Sequence, residues 1–311
     1  MSAGKTRAAP AGRRGLAVLA ALVTVAIWAN FLVTTGGAVG AGLGVVELGF
    51  LRAVVCAAAL SPVLWRLGVY PKGLELWRFL TMVLGAGASF IFLMPAGFLF
   101  APAADSGIFA PGVLPLQVAV LAVIFLGERI GRVRVAGFAL ISVGVFAVGG
   151  WDALSAASDG AWRGYLLFST SSLTFACYTV AQRGSGLSAL EATALISFWS
   201  VPIAGAGALI WGLDFSAASP LVIGWTALAQ FGSGVVAIVT YTYAIIHLGP
   251  SRGAAFIALT PAVVALASDL FLGQPARPLI WAGVAVVSVG VLIASGVMER
   301  RRPAPLEIEA A

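Results

Sequence analysis

Apolar residues run along this chain in blocks of roughly twenty, broken by short polar stretches. Ten such blocks are present, at about 15–34, 46–65, 78–100, 106–126, 133–150, 164–182, 191–213, 221–246, 254–272 and 279–297. A helix rises about 1.5 Å per residue, so a block of this length crosses the roughly 30 Å hydrocarbon layer of a bilayer. The pattern therefore predicts ten transmembrane helices. Most connections are short, which makes neighbouring helices antiparallel.

The polar breaks are sorted by charge. If the N-terminus lies inside, the cytoplasmic segments hold Lys5, Arg7, Arg13 and Arg14, then Arg66, Lys72 and Arg78. Arg129, Arg132, Arg134, Arg183, Arg252, Arg300, Arg301 and Arg302 follow on the same side. That is fifteen of the eighteen Lys and Arg residues. The opposite side holds only Arg163 and Arg277, together with Asp105, Asp152, Asp159 and Asp214. Basic residues stay on the cytoplasmic face of an inner membrane, so both termini are expected there. The first block is longer than a signal core and nine more follow it, so it reads as a retained span.

Composition agrees. Of 311 residues, 60% are hydrophobic and only 10% charged, and the mean hydropathy is +1.03. A soluble domain carries about a quarter charged residues, so lipid is the main solvent here. The net charge of +6 comes from short clusters at span ends, not from one basic face, so no nucleic-acid partner is expected. Cys56 and Cys177 fall inside apolar blocks and read as packing residues. With one histidine, His247, and no CxxC or HExxH motif, neither a metal nor a cofactor is expected.

The chain also repeats itself at an offset of 146. Pro115, Leu126-Gly127-Glu128, Gly137 and Ser142-Val143-Gly144-Val145 recur as Pro261, Leu272-Gly273-Gln274, Gly283 and Ser288-Val289-Gly290-Val291. A weaker echo pairs Trp28-Ala29-Asn30-Phe31 with Phe175-Ala176-Cys177-Tyr178. Each unit has five spans. Five is odd, so the second unit enters the membrane from the opposite side, giving an inverted repeat of the kind found in secondary transporters.

Trp28-Ala29-Asn30-Phe31, Leu51-Arg52 and the proline-to-Leu-Gly-Glu element ending at Glu128 together resemble the EamA type of the drug/metabolite transporter superfamily. The resemblance runs over about 15–298 and departs from the pattern at Gln274, where Glu is usual. It implies an all-α integral membrane protein, with two inverted five-helix repeats around a central cavity. The divisions are then 1–14 for a cytoplasmic segment, 15–150 and 151–298 for the repeats, and 299–311 for a cytoplasmic tail. The function it implies is export or import of amino acids, related metabolites or drugs; of the two directions, export is the one expected here.

Several residues suit such a cavity. An arginine inside a span costs about 2.5–3.5 kcal/mol on insertion scales, so Arg52 meets an anionic group of the substrate, gates the outer side, or snorkels to the outer interface. Glu47 lies five residues earlier. It and Asp269, both near outer ends, are the candidate proton-coupling carboxylates. Thr170, Thr174, Tyr178 and Gln182 recur every fourth position, and Thr226, Gln230, Ser233 and Tyr241 share a face of the eighth span. These stripes serve either a wet cavity or contacts between helices. Trp28, Asn30, Phe31, Arg52, Phe90, Thr174, Tyr178, Gln230 and Tyr241 are the candidate cavity residues, and Pro115 and Pro261 the candidate hinges. The expected partners are a small-molecule substrate and the bilayer, for a monomer or homodimer. No GxxxxGK[ST] loop and no intramembrane catalytic constellation is visible, so neither an ATP-driven pump nor an enzyme is expected. The competing reading is a receptor or scaffold that binds a solute without moving it.

Overall fold

The structure is a computed structural model that describes residues 11–154, 160–248 and 255–296. Among these residues every regular element is helical, and they form ten helical segments. They are α1 (Ala11–Gly40), α2 (Val45–Leu67), α3 (Leu76–Gly97), α4 (Ala103–Leu126), α5 (Arg132–Leu154), α6 (Trp162–Gln182), α7 (Ala189–Trp211), α8 (Pro220–Leu248), α9 (Ala255–Leu272) and α10 (Pro278–Ala294). Lys5, Arg7, Asp159, Arg252, Arg300, Arg301 and Arg302 lie outside the described residues.

Eight segments are long and apolar enough to cross a membrane. The other two are α10, an apolar helix of 17 residues, and α6, which is 21 residues long but carries Ser169, Thr170, Ser171, Ser172 and Thr174 side by side. Ser171 and Ser172 are buried, so part of the polarity of α6 is turned into the bundle, while Thr170 is exposed. Large apolar side chains such as Phe125, Phe146, Leu209 and Phe271 face outward instead. This is the reverse of a water-soluble surface and defines a multi-pass membrane protein.

Local sequence explains where the rods begin and end. Ser188 caps α7 in a reciprocal capping box with Glu191, and Ser219 caps α8 ahead of Pro220 at its first turn. Pro115 and Pro261 each sit at the first turn of a straight helical stretch, just after a break in the rod at Val113 and at Ala258–Leu259. Both stretches stop at a left-handed glycine, Gly127 (φ 64°) and Gly273 (φ 60°). In both, the next amide closes the turn: Glu128 N–H donates to Ala122 O, and Gln274 N–H to Ser268 O. The same start and stop therefore recur 146 residues apart.

Cross-links sort the rod ends into two sets. At one end Arg78 donates to the carbonyls of Ala181 and Arg183, and Arg183 pairs with Glu128 at 2.8 Å. At the other end Glu47 accepts the Asp214 amide, Gln274 accepts the Ala103 amide, and Arg277 pairs with Asp105. The short turns then place Arg13, Arg14, Arg66, Lys72, Arg129, Arg132 and Arg134 at the first end. Arg163 and Asp214 fall at the second. The Asp214 carboxyl is held below the usual carboxylate range by the Ser216 hydroxyl and then by the Ser216 amide.

Candidate functional site

Between the helices lies a cavity of about 310 Å³, lined by α1–α4 and α6–α8 with Ile257 of α9. Arg52 lies at its deep end, the eighth residue of α2 and so about 10 Å along that rod from the less basic end. The lining continues to Gln182, Ala189 and Thr193, at the last turn of α6 and the first turn of α7, beside the basic end.

Arg52 is held by α8. Its Nη1 donates to Gln230 Oε1 and to Ser233 Oγ, both at 2.9 Å. Gln230 and Ser233 are buried, and the Ser233 hydroxyl donates in turn to the Gln230 carbonyl at 3.2 Å. The rod of α8 widens into a π-turn at Gly232–Val236, so the regular ladder shifts next to these two side chains. Such wide turns are frequent at functional sites. α3 has one as well, at Val83–Ser89, close to the position that the repeat offset relates to the α8 turn.

The guanidinium of Arg52 also lies over two rings, with its Cζ 5.0 Å from the centroids of both Phe31 and Phe90. A cation over aromatic faces gains about 0.5–2 kcal/mol, more as water is removed. Among the described residues Arg52 makes no ion pair. Phe90 continues into Phe175 (5.7 Å between centroids) and Phe175 into Tyr178 (5.1 Å), forming one aromatic wall. Trp28 against Tyr241 (5.6 Å) forms part of another. Besides Arg52, Ser233 and the two tyrosines, the polar side chains of the lining are uncharged: Ser172, Thr179 and Gln182 on α6, Thr193, Ser197 and Ser200 on α7, and Thr242 on α8.

Beyond Arg52 the bundle is closed. Phe98 packs on Phe168 at 4.8 Å, and Phe109 stacks on Tyr165 at 4.1 Å. Tyr165 donates its hydroxyl to Asp105 Oδ2 at 2.7 Å, and Arg277 donates to the Tyr165 oxygen at 3.1 Å. Asp105 is only 2% exposed, so this network ties the starts of α4 and α6 to the α9–α10 turn inside the protein.

Of the residues singled out from sequence, the structure brings Trp28, Phe31, Arg52, Phe90, Tyr178 and Tyr241 together around the cavity, with Gln230 behind Arg52. Asn30 lies exposed on the opposite face of α1, where Thr34 donates to it. Thr174 turns toward α3, where its carbonyl abuts Gly85, and its hydroxyl goes to Ser171 O. Pro111 lines the cavity and Pro115 does not. Pro261 is buried against Gly107. Glu47 is buried at the α7–α8 connection and Asp269 is exposed on the last turns of α9, so neither lines the cavity. Thr193, Ser197 and Ser200 escaped the sequence reading. Their spacing of four and three marks one helical face, which is the signal that finds them.

Apolar helices long enough to cross a membrane, packed around an internal cavity with buried polar groups at its wall, define a polytopic helical membrane protein. Residues 162–296, the stretch from α6 to α10, match the EamA-like transporter family, part of the drug/metabolite transporter superfamily. A solved structure titled only "Crystal structure of protein" superposes with a TM-score of 0.61 at 19% identity, covering 92% of this chain and 99% of its own. At that identity the likeness speaks for the fold alone. No curated protein matches the chain by sequence.

Proposed function

We propose that the protein is a secondary transporter that moves small metabolites across the inner membrane by alternating access, in the direction of export. The observation that carries this reading is Arg52: a charged side chain at the closed end of a cavity that extends to the basic end of the bundle. By the charge rule the basic end is cytoplasmic, so the cavity faces inward in this conformation and both termini lie in the cytoplasm. All ten segments span the bilayer, and residues 15–150 and 151–298 form two inverted five-helix units. The matched proline starts, glycine stops and π-turns of the two halves support that symmetry. Rocking one unit against the other would then open the end now closed by Asp105, Tyr165 and Arg277.

Counterflow in proteoliposomes tests this directly. Labelled amino acids, organic acids and cationic drugs are offered with and without a pH gradient. Accumulation of one class, abolished in Arg52→Gln, is the expected result. Folded protein that binds a solute at the cavity yet moves none would instead establish a receptor.

A further inference from the structure

We infer that the cavity selects a small aromatic monocarboxylate, an anion with one carboxylate on an apolar ring and no cationic group. This rests on the cavity being the substrate site proposed above and names the chemistry it takes.

The charge balance is one-sided. Among the described lining residues Arg52 is the only charged side chain, and no Asp or Glu accompanies it. The nearest carboxylate along α2, Glu47, is engaged with the Asp214 amide outside the cavity. An ammonium group entering here would lose water and meet no carboxylate, whereas a carboxylate would meet a half-buried guanidinium. This disfavours cations most, zwitterions next, and anions not at all.

The guanidinium is also oriented for the task. Both acceptors on α8 take Nη1, and the Nε–Nη2 edge donates to no described residue. That edge presents two parallel N–H groups, the fork that binds a carboxylate through both oxygens. Phe31 and Phe90 hold the plane of the group, and Gln230 fixes its rotation. A free arginine would lose this edge to solvent or to a neighbour.

The rest of the space suits a ring. Phe175, Tyr178, Trp28 and Tyr241 form apolar walls next to the Arg52 pocket. At about 310 Å³ the cavity is at the small end of the roughly 300–1,000 Å³ range of ligand sites, which favours one ring over a polycyclic drug.

Four probes sharing one ring separate the charge states: phenylacetate, phenylalanine, phenethylamine and phenylethanol. Binding to detergent-purified protein is read by tryptophan fluorescence and calorimetry, and each probe is then offered in counterflow. Phenylacetate is expected to bind about tenfold or more tighter than the other three. Arg52→Gln should erase that preference, and Arg52→Lys, which keeps the charge without the fork, should retain only part of it. Thermal unfolding of both variants confirms that they are folded. Equal or tighter binding of phenylalanine or phenethylamine, no binding of phenylacetate at millimolar concentration, or a preference unchanged in Arg52→Gln would overturn the inference. Phenylacetate bound but never moved would overturn the transporter reading and leave this one standing. Transport of phenylalanine in place of phenylacetate would do the reverse.

Discussion

Gly137 and Gly290 stand back to back where α5 crosses α10. A Cβ added to Gly137 would lie 2.7 Å from the Gly290 carbonyl oxygen, and one added to Gly290 would lie 2.8 Å from that of Gly137. One further pair, Gly144 and Gly283, faces across the same crossing, with Cβ-to-carbonyl separations of 3.4 and 3.8 Å. Adding 146 to 137 and 144 gives 283 and 290, so the repeat exchanges one contact for the other, as a twofold relation between the halves would require. Small residues let two backbones meet without a layer of side chains between them. Gly137→Val or Gly290→Val should therefore lower stability by about 1–3 kcal/mol, since the carbonyl opposite cannot give way as a flexible side chain would. Thermal unfolding in detergent measures this. Gly150→Val is the control, because a Cβ there meets nothing within 4 Å.

The glycine stops of α4 and α9 make a second matched pair. At φ near 60°, Gly127 and Gly273 occupy backbone space that costs other residues about 1–2 kcal/mol. Gly127→Ala and Gly273→Ala should each destabilise the protein by about 1 kcal/mol, and the Asn variants by less. No Cβ clash occurs at either position, so the backbone angle alone is under test. Equal melting temperatures for wild type and both Ala variants would contradict this.

These motifs show why so much of the architecture was legible. Helical, membrane-crossing segments were legible because span length is a local signal that lipid enforces: an unpaired backbone group in hydrocarbon costs several kcal/mol. The cavity was only half legible. Periodicity finds a polar stripe but not its partner, so Thr174 and Asn30 read as plausibly as Tyr178 and Phe31. Rotation of each rod about its axis decides between them, and rotation is set by packing: Gly85 draws the Thr174 turn of α6 onto α3, and Ser172, Phe175 and Tyr178 swing into the cavity. Arg52 stood out because a charge inside a span is rare. Its partners Gln230 and Ser233, 178 and 181 residues away, were visible only as polar residues of another span.

Gln230 and Ser233 give the third prediction. Both hydrogen-bond Arg52; if Arg52 takes the solute as proposed, Gln230→Ala and Ser233→Ala should weaken solute binding more than they slow its movement. A charge-assisted hydrogen bond contributes about 1.5–3 kcal/mol, which sets the expected rise in KM at about tenfold or more for Gln230→Ala. Arg52→Gln should abolish transport. Initial rates over a range of substrate concentrations separate the two effects. An unchanged KM in Gln230→Ala would mean that Arg52 is held by its aromatic neighbours alone.

The closed end of the bundle supplies the last prediction. The proposed alternating access would have to part Tyr165 from Asp105 and Arg277 there, because these three join α4, α6 and the α9–α10 turn. Tyr165→Phe deletes the hydroxyl that bridges the carboxylate and the guanidinium while keeping the ring stacked on Phe109. Its loss should favour the conformation open at this end, by about tenfold if one charge-assisted bond is lost. A single cysteine replacing Met94, which lines the cavity on α3, reports the change in a background carrying Cys56→Ala and Cys177→Ala. A membrane-impermeant maleimide applied from the less basic side should label it severalfold faster in Tyr165→Phe than in the parent. Faster labelling from that side, with slower labelling from the other, would identify the network as a gate. A lower melting temperature with no change in either rate would make it only a brace between helices.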